Sequence, residues 1–246
     1  MAEYRWNQAE LAEGWDAAAQ YVHPHYLELQ QVLLGLLPFS EGDDFLLVDA
    51  GGGPGRLAEL FLRQFKNARA VVVDQSQPFL DIAARRMARF GNRGTCQLAR
   101  LQDEWLDTLA ERPSAIVSMS AIHHLDPQEK QTLYARCFDA LVPGGVLMNG
   151  DEVRPESDAD YLAALKTWAA HKRHVVEAGL IPPSMADSQK KWEERNVGGF
   201  CEPRVSGDDC HETIAAQLGY FRAAGFSRAD CPWQREMWAV LRGFNN

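Results

Sequence analysis

A glycine-rich segment is the first part of the chain whose residue types could do chemistry. The stretch from Val48 to Gly55 reads Val-Asp-Ala-Gly-Gly-Gly-Pro-Gly. Gly51, Gly53 and Gly55 permit positive φ and let a ligand approach the backbone closely. The N-terminus of a following helix would present free N–H groups to a carboxylate, and Asp49 could hold an ammonium group. The segment therefore predicts a site for a ligand with an amino-acid-like end.

Two groups of acids follow predicted strands. Asp74 ends the second predicted strand and is followed by Gln75, and a carboxylate there can accept hydrogen bonds from both hydroxyls of a ribose. Asp103 and Glu104 follow the third predicted strand, where a carboxylate can accept a hydrogen bond from an adenine amino group. Together these positions predict a nucleoside beside the glycine turn.

The glycine turn also fits a dinucleotide-binding protein. The stretch from Gly53 to Ala58 matches the pattern G-x-G-x-x-G/A, and Asp74 lies 21 residues beyond Gly53, where that pattern expects a ribose-binding acid. An NAD-dependent oxidoreductase is therefore an alternative. It would need a hydride-site pair such as Tyr and Lys after the fourth strand, and the segment from Ser118 to Asp126 contains none. An acid at Asp103 is also not required by an NAD-binding domain.

Residues near the other strand ends supply candidates for catalysis. Ser118 and Met119 lie near the end of the fourth predicted strand, and Met119 could flank an adenine ring. His124 could act as a general base because imidazole titrates near neutral pH. Tyr26 and Asp151 could orient or deprotonate a substrate. We therefore take His124, Tyr26 and Asp151 as catalytic candidates, and Ser118 and Met119 as cofactor contacts.

A metal site is the alternative use of the histidines. His171 and His174 lie three residues apart on a predicted helix and could bind a metal with Asp151 or Glu152. Histidines on helix surfaces are far commoner than such ligand sets. The five cysteines have no C-x-x-C spacing, so they predict reduced thiols and no zinc site. We therefore expect no metal.

These residues are positioned by apolar runs that alternate between strand and helix character. Such alternation predicts a parallel sheet with helices on both faces, in which ligands bind at the carboxyl ends of the strands. The predicted strands are Phe45–Ala50, Ala70–Asp74, Thr95–Leu101, Ala115–Ser120 and Val146–Asn149. The predicted helices between them are Arg56–Phe65, Pro78–Phe90 and Gln128–Leu141.

The end of the chain follows a different pattern. A helix is predicted over Ser206–Ala224, followed by strands at Ser227–Cys231 and Glu236–Arg242 that form an antiparallel hairpin. Helices predicted over Asp158–Ala178 and Ala186–Asn196 fit no strand in the alternation. The expected fold is α/β: a Rossmann-like, doubly wound, mostly parallel seven-stranded sheet with an antiparallel C-terminal hairpin and a helical cap insertion.

This arrangement divides the chain into three parts. Residues 1–40 form an N-terminal helical segment covering the cofactor site. Residues 41–153 and 206–246 form the cofactor-binding domain, and residues 154–205 form the cap.

The ordered set of motifs resembles class I S-adenosylmethionine (SAM)-dependent methyltransferases of the small-molecule type. That family has an acid and a glycine turn after the first strand, acids after the second and third, a hydrophobic block often containing His-His-Leu after the fourth, and Pro-Gly-Gly before the fifth. Gly52 stands where the family often has Cys. The matching residues are Asp49, Gly51, Gly53, Gly55, Asp74, Asp103, His123-His124-Leu125 and Pro143-Gly144-Gly145.

The resemblance implies SAM as cofactor and S-adenosylhomocysteine (SAH) as product. The expected reaction is methyl transfer to an O, N, S or C atom of a small-molecule acceptor. A tRNA-modifying SAM enzyme and a non-catalytic SAM- or SAH-binding regulatory protein remain alternatives.

Composition favours a small-molecule enzyme over a nucleic-acid one. The net charge is −9, and the basic groups are short and lie beside acids, whereas phosphate binding needs clustered Lys and Arg. The sequence has no pattern typical of a transmembrane span or of a signal peptide. We expect a cytoplasmic protein that is a monomer or a homodimer.

Overall fold

A computed structural model describes residues 5–245, except for the side chain of Arg5. Its seven strands form one sheet in the order β3-β2-β1-β4-β5-β7-β6. The first five strands pair in parallel, and β7 is antiparallel to both of its neighbours. The predicted fold is therefore confirmed. The strands are β1 (Leu46–Ala50), β2 (Arg69–Asp74), β3 (Gly94–Leu98), β4 (Ala115–Met119), β5 (Gly145–Glu152), β6 (Arg228–Arg235) and β7 (Trp238–Asn245).

The helices cover both faces of the sheet and its carboxyl edge. Several begin at side chains that cap their first free N–H groups: Ser76 caps α4, and Asp126 with Glu129 forms a capping box on α5. The helices are α1 (Ala9–Val22), α2 (Tyr26–Gly35), α3 (Arg56–Gln64), α4 (Gln77–Met87), α5 (Pro127–Ala140), α6 (Asp158–Glu177), α7 (Pro183–Glu193) and α8 (Ile214–Ala224).

Burial on both faces explains why the central strands are continuous apolar runs. β1 and β5 are buried along their whole length, as expected for strands between two layers of helices. The polar residues Asp49, Asp151 and Glu152 lie at the carboxyl ends of these strands, where the helical layers diverge.

The predicted helix over Ser206–Ala224 begins eight residues later, at Ile214, capped by Thr213. The preceding residues form a loop that pairs with the turn after β4. Gly207 N–H donates to the His124 carbonyl over 2.8 Å, and Cys210 N–H donates to the His123 carbonyl over 2.8 Å. Adjacent Asp residues favour such irregular backbone over helix. The loop therefore brings an acidic segment to the carboxyl edge of the sheet.

Other helices and strands begin or end within a few residues of their predicted boundaries. The third strand ends at Leu98, and the helix after β2 ends at Met87 before a short 3₁₀ segment in which Gly91 has φ 60°. The hairpin turns at Glu236, with φ 52°, so residues predicted as its loop lie inside β6. Pro232 is tolerated there because β6 is the edge strand and its pairing is irregular between Asp230 and Trp233.

The insertion between β5 and α8 consists of α6, α7 and a π-helical turn. It packs against α1 through hydrogen bonds to backbone. The Trp168 indole N–H donates to the Val22 carbonyl over 2.8 Å, and His171 Nε2 donates to the Tyr21 carbonyl over 2.7 Å. Within residues 5–245, no helix combines the length and apolar composition needed to cross a bilayer.

Candidate active site

The glycine turn after β1 has the backbone that its sequence predicts. Gly51, Gly53 and Gly55 have φ values of 70°, 51° and 74°. A Cβ at Gly51 would lie 2.5 Å from Cβ of Ala121, so that position requires glycine. A Cβ at Gly53 would meet nothing closer than Phe79 at 4.0 Å. The turn therefore leaves open space above its centre.

Two buried aspartates flank this turn. Asp74 accepts hydrogen bonds from Gly53 N–H at 2.9 Å and Ser76 N–H at 2.8 Å. Burial raises the pKa of Asp74 to about 6, although these hydrogen bonds act to lower it. Asp49 accepts one from Ala58 N–H at 3.2 Å, whereas its Oδ1 has no hydrogen-bond partner. Burial raises the pKa of Asp49 to about 7.

One cavity of about 690 Å³ extends from the glycine turn to the cap. Its cofactor side is lined by Trp6, Trp15, Gly51, Gly52, Gly53, Pro54, Asp74, Gln75, Phe79, Arg100, Leu101, Gln102, Met119 and Ala121. Its cap side is lined by His23, Tyr26, Ser120, His123, His124, Glu152, Trp168, Lys172, Ser188, Gln189, Trp192, Ser206, Gly207 and Asp209.

The sequence-predicted residues divide into two groups around this cavity. Those on its wall are Tyr26, Gly51, Gly53, Asp74, Gln75, Met119 and His124. Those outside the wall are Asp49, Gly55, Asp103, Glu104, Ser118 and Asp151. Gly55 is the N-cap of α3, and Ser118 is fully buried with no hydrogen-bond partner for its hydroxyl.

The acids after β3 point away from the cavity. Asp103 is exposed and accepts a hydrogen bond from Arg100 N–H over 3.0 Å. Glu104 is exposed and forms an ion pair with Arg136 at 2.9 Å. Because β3 ends at Leu98, the residues that reach the cavity come earlier, from Arg100 to Gln102. The adenine contact expected at Asp103 and Glu104 is therefore not supported by where these residues lie.

Asp151 lies behind the wall and holds His123. The His123 Nδ1 donates to Oδ1 of Asp151 over 2.7 Å, and the His123 backbone N–H donates to Oδ2 over 2.9 Å. Burial opposes a charge on His123, but the carboxylates of Glu152 and Asp151 outweigh it and raise the pKa to about 9. Asp151 is thus a positioning residue for His123.

Asp209, from the loop before α8, approaches the same histidines. Its Oδ1 lies 3.4 Å from Nδ1 of His124 and 3.9 Å from Nε2 of His123. Asn196 donates to its Oδ2 over 2.7 Å. His124 Nδ1 also lies 3.2 Å from the Asp208 carbonyl. Burial would raise the pKa of Asp209, but His124 and the other nearby histidines hold it well below its ordinary value.

Sequence reasoning missed Asp209 because it falls in a segment predicted to be helical. No spacing pattern links it to His124, which lies more than 80 residues earlier. The adjacent acids at positions 208 and 209 are a signal that could have indicated a loop there.

Two groups of side chains have the atoms to bind a metal ion. His123, His124 and Asp209 have ligand-type atoms within 4.8 Å of one another, as do His123, Asp151 and Glu152. Hydrogen bonds from His123 and Asn196 to the two aspartates account for much of this geometry. His171, which the sequence offered as a possible metal ligand, belongs to neither group. Its Nε2 donates a hydrogen bond to the Tyr21 carbonyl instead.

The cap side contains a further polar group that sequence reasoning did not single out. His23 is buried and lines the cavity, but neither ring nitrogen has a hydrogen-bond partner. Glu152 also lines the cavity, and its Oε2 accepts a hydrogen bond from His211 Nε2 over 2.8 Å. Tyr26 contributes an un-ionised phenol, because burial raises its pKa well above the ordinary value.

Comparison with known proteins agrees with the fold and the turn. Residues 47–145 match the family described as Methyltransferase domain. The chain is 41% identical over 80 residues to a ribosomal RNA small subunit methyltransferase H from Beutenbergia cavernae, covering 32% of this chain and 24% of that protein.

Two further similarities cover more of the chain. It is 29% identical over 152 residues to a carboxy-S-adenosyl-L-methionine synthase from Shewanella amazonensis, covering 56% of this chain and 60% of that protein. An O-methyltransferase family 2 protein from Planctomyces limnophilus, in complex with apigenin, superposes with a TM-score of 0.64 at 17% identity, covering 100% of this chain and 63% of that one. The chain therefore spans less than two thirds of each of these proteins.

The sheet order, the glycine turn and the family match define a class I SAM-dependent methyltransferase domain. The resemblance stated from the sequence motifs is confirmed at this level. The matched residues, 47–145, run from β1 to the start of β5.

Proposed function

We propose that this protein is an enzyme that transfers a methyl group from SAM to a small-molecule acceptor bound under the cap. The observation that carries the proposal is that one cavity of about 690 Å³ joins the glycine turn to the cap. Small-molecule sites are concave spaces of roughly 300–1,000 Å³. The cavity can therefore hold a cofactor and a small acceptor together.

The residues around the turn fit SAM. The open space above Gly53 lets a ligand lie against the backbone, and Asp74 presents a carboxylate that suits ribose hydroxyls. Arg100, Leu101 and Gln102 line the place proposed for adenine, instead of Asp103. The unpartnered Oδ1 of Asp49 behind the turn suits an ammonium group, directly or through water. Bound SAM supplies a methyl group activated by a positive sulfur.

The protein's own contribution is alignment of the acceptor and exclusion of water. We assign alignment of the acceptor to the cap, residues 154–205. We assign exclusion of water to the N-terminal segment, residues 1–40, in which Trp6 and Trp15 lie over the cofactor side. The remaining residues, 41–153 and 206–246, form the cofactor-binding domain.

His124 is the group proposed to take a proton from a hydroxyl or amine acceptor. It lies on the cavity wall, and Asp209 and the Asp208 carbonyl both face its Nδ1. A carboxylate at one imidazole nitrogen orients the ring and stabilises its protonated form. Tyr26 is proposed to contact the acceptor as a neutral phenol, and Asp151 to position His123.

The test follows the fate of a labelled methyl group. Purified protein is incubated with methyl-labelled SAM and a cell extract separated into small-molecule, RNA and protein fractions, and titrated separately with SAH by calorimetry. Label in the small-molecule fraction together with SAH binding supports the proposal. Label in RNA would favour the tRNA-modifying alternative, and SAH binding without any labelled product would favour the regulatory one.

The proposed function extends to the cellular compartment and the oligomeric state of the protein. We propose a cytoplasmic protein, supported by five cysteines that are all unpaired, which acts as a monomer or homodimer. Cell fractionation and light scattering after gel filtration test these two statements.

A further inference from the structure

A histidine and a glutamate face each other in an aromatic part of the cavity. His23 follows α1, Glu152 ends β5, and both line the cap side. The His23 ring lies between Trp15 and Trp238, with edge-on contacts at centroid distances of 5.0 Å and 4.8 Å, and 5.5 Å from Trp168. We call His23 and Glu152 the polar pair.

The two members of the pair do not satisfy each other. Nδ1 of His23 lies 3.7 Å from Oε1 of Glu152, which is too far for a hydrogen bond. Both His23 nitrogens lack a partner although the residue is only 3% exposed. Buried polar groups are nearly always hydrogen-bonded. A buried imidazole without a hydrogen-bond partner, beside a carboxylate oxygen that holds only a long hydrogen bond from Ser120, therefore points to a ligand group that completes both.

Glu152 is held so that one oxygen faces the cavity. Its Oε2 accepts from His211 Nε2, and Tyr161 donates its hydroxyl proton to His211 Nδ1 over 2.7 Å. Oε1 is left with the weaker contact from the Ser120 hydroxyl at 3.4 Å. The carboxylate is thus oriented from behind, and Oε1 is available to accept a hydrogen bond from a ligand.

The charges around the pair select an uncharged group. Burial lowers the pKa of His23 well below its ordinary value, and the charges of Lys172 and His123 lower it further against the opposite effect of Asp209, so His23 is neutral and Lys172 and His123 oppose a cation beside it. Glu152 in turn repels an anion. A hydroxyl meets both conditions because it donates to Glu152 Oε1 and accepts from the His23 N–H.

We propose that the polar pair binds a hydroxyl group on a flat, aromatic acceptor. The indoles of Trp168 and Trp192, which line the cap side, supply an aromatic surface for the acceptor ring, and the hydroxyl is held by Glu152 and His23. This inference rests on the proposed function, because it describes the acceptor side of the same cavity. It specifies an anchoring hydroxyl without deciding whether that oxygen is also the methylated atom.

The experiment compares three ring compounds of one size on SAH-saturated protein. The probes are 2-naphthol, its methyl ether and 2-naphthoate, titrated by calorimetry. We expect 2-naphthol to bind about tenfold more tightly than the other two. Equal binding of the methyl ether, or tighter binding of 2-naphthoate, would overturn the inference. A fourth ring compound, 2-naphthylmethylammonium, tests for a cation site, and its tighter binding would also overturn the inference.

Variants test the pair itself. Glu152→Gln and His23→Phe keep the size of each side chain, and each should weaken 2-naphthol about tenfold and leave the methyl ether within about twofold. His25→Phe and Glu236→Gln change residues outside the cavity wall that contact each other at 3.3 Å, and should leave all three affinities unchanged. Loss of every probe equally in Glu152→Gln or His23→Phe, with folding intact by circular dichroism, contradicts a hydroxyl subsite.

Failure of this inference is distinguishable from failure of the proposed function. If the protein binds no SAH but still prefers 2-naphthol through Glu152, the inference stands and the methyltransferase proposal falls. If SAH binds and the hydroxyl preference is absent, only the inference falls.

Discussion

Oδ1 of Asp209 lies 3.4 Å from Nδ1 of His124, although the two residues come from different loops at the carboxyl edge of the sheet. Both line the cavity. A carboxylate at this distance favours the protonated imidazole electrostatically. Asp209 and His124 are therefore the residues at which to test how the acceptor loses its proton.

We expect Asp209→Asn to lower turnover by about 10- to 100-fold, because the amide no longer stabilises a protonated His124. SAH affinity should stay within about twofold, since Asp209 lies on the cap side. Turnover is followed as SAH formation with the labelled acceptor fraction, and the His124 ring titration is followed by NMR.

Asp208→Asn is the matched control for that variant. The Asp208 carboxylate contacts the Val205 N–H and Arg195, and its carbonyl faces Nδ1 of His124. Equal losses in both variants would indicate a structural effect of the loop. An unshifted His124 titration in Asp209→Asn would contradict the assigned role.

Asp74→Asn should weaken SAH binding by about tenfold or more. The substitution replaces a carboxylate oxygen by an NH₂ group, which cannot accept from a ribose hydroxyl or from the turn's N–H groups. Calorimetric titration with SAH checks this. Asp81→Asn on α4 serves as the control because Asp81 is exposed and accepts a hydrogen bond from Gln77 at the surface. Undiminished binding by Asp74→Asn would argue against the proposed ribose site.

Asp16→Asn should speed the release of SAH by several-fold. Asp16 joins α1 to the start of α3 and to α4, because its carboxylate accepts from Arg56 Nε and from Arg86 Nη2, each over 2.7 Å. A partly buried ion pair of this kind contributes about 1 kcal/mol, and α1 carries Trp15 over the cofactor side. Stopped-flow tryptophan fluorescence measures the release rate.

Glu13→Gln, on the exposed face of α1, should leave that rate unchanged. Hydrogen exchange gives an independent readout, since amides of α1 should exchange faster in Asp16→Asn alone. If SAH release is the same in both variants, α1 does not act as a cover.

The pKa of Asp49 predicts a pH-dependent stability of the ligand-free protein. In the unfolded chain an Asp ionises near pH 4, whereas burial raises the folded value to about 7. Between these values the folded state keeps a proton that the unfolded state has released. The free energy of unfolding therefore falls as the pH rises from about 4 to about 7, and the loss is complete above the folded pKa.

Asp49→Asn removes this dependence. Relative to the unmodified protein, the variant should gain stability on the order of 1–3 kcal/mol between pH 5 and pH 8. Urea unfolding at the two pH values measures the change. Asp187→Asn, an exposed position on α7, should show no such gain, and parallel pH profiles for the Asp49→Asn and unmodified proteins would contradict the raised pKa.

The sequence by itself determined the fold of this protein and its glycine turn. The strand-turn-helix pattern around Gly51 to Gly55 and the acid at Asp74 are local features. Their geometry follows from neighbouring residues, because a strand end, a positive φ and a helix N-terminus all lie within a few positions. The order of strands and helices was local as well, so the sheet and its hairpin were predicted correctly.

Only the tertiary structure decided which side chains meet at the cavity. Asp209 reaches His124 because the loop before α8 is not helical, and Asp103 misses the cavity because β3 ends at Leu98. His23 and Glu152 meet across α1 and β5, more than 120 residues apart in the chain. Such contacts depend on how the elements pack against one another, and no spacing pattern along the chain encodes that packing.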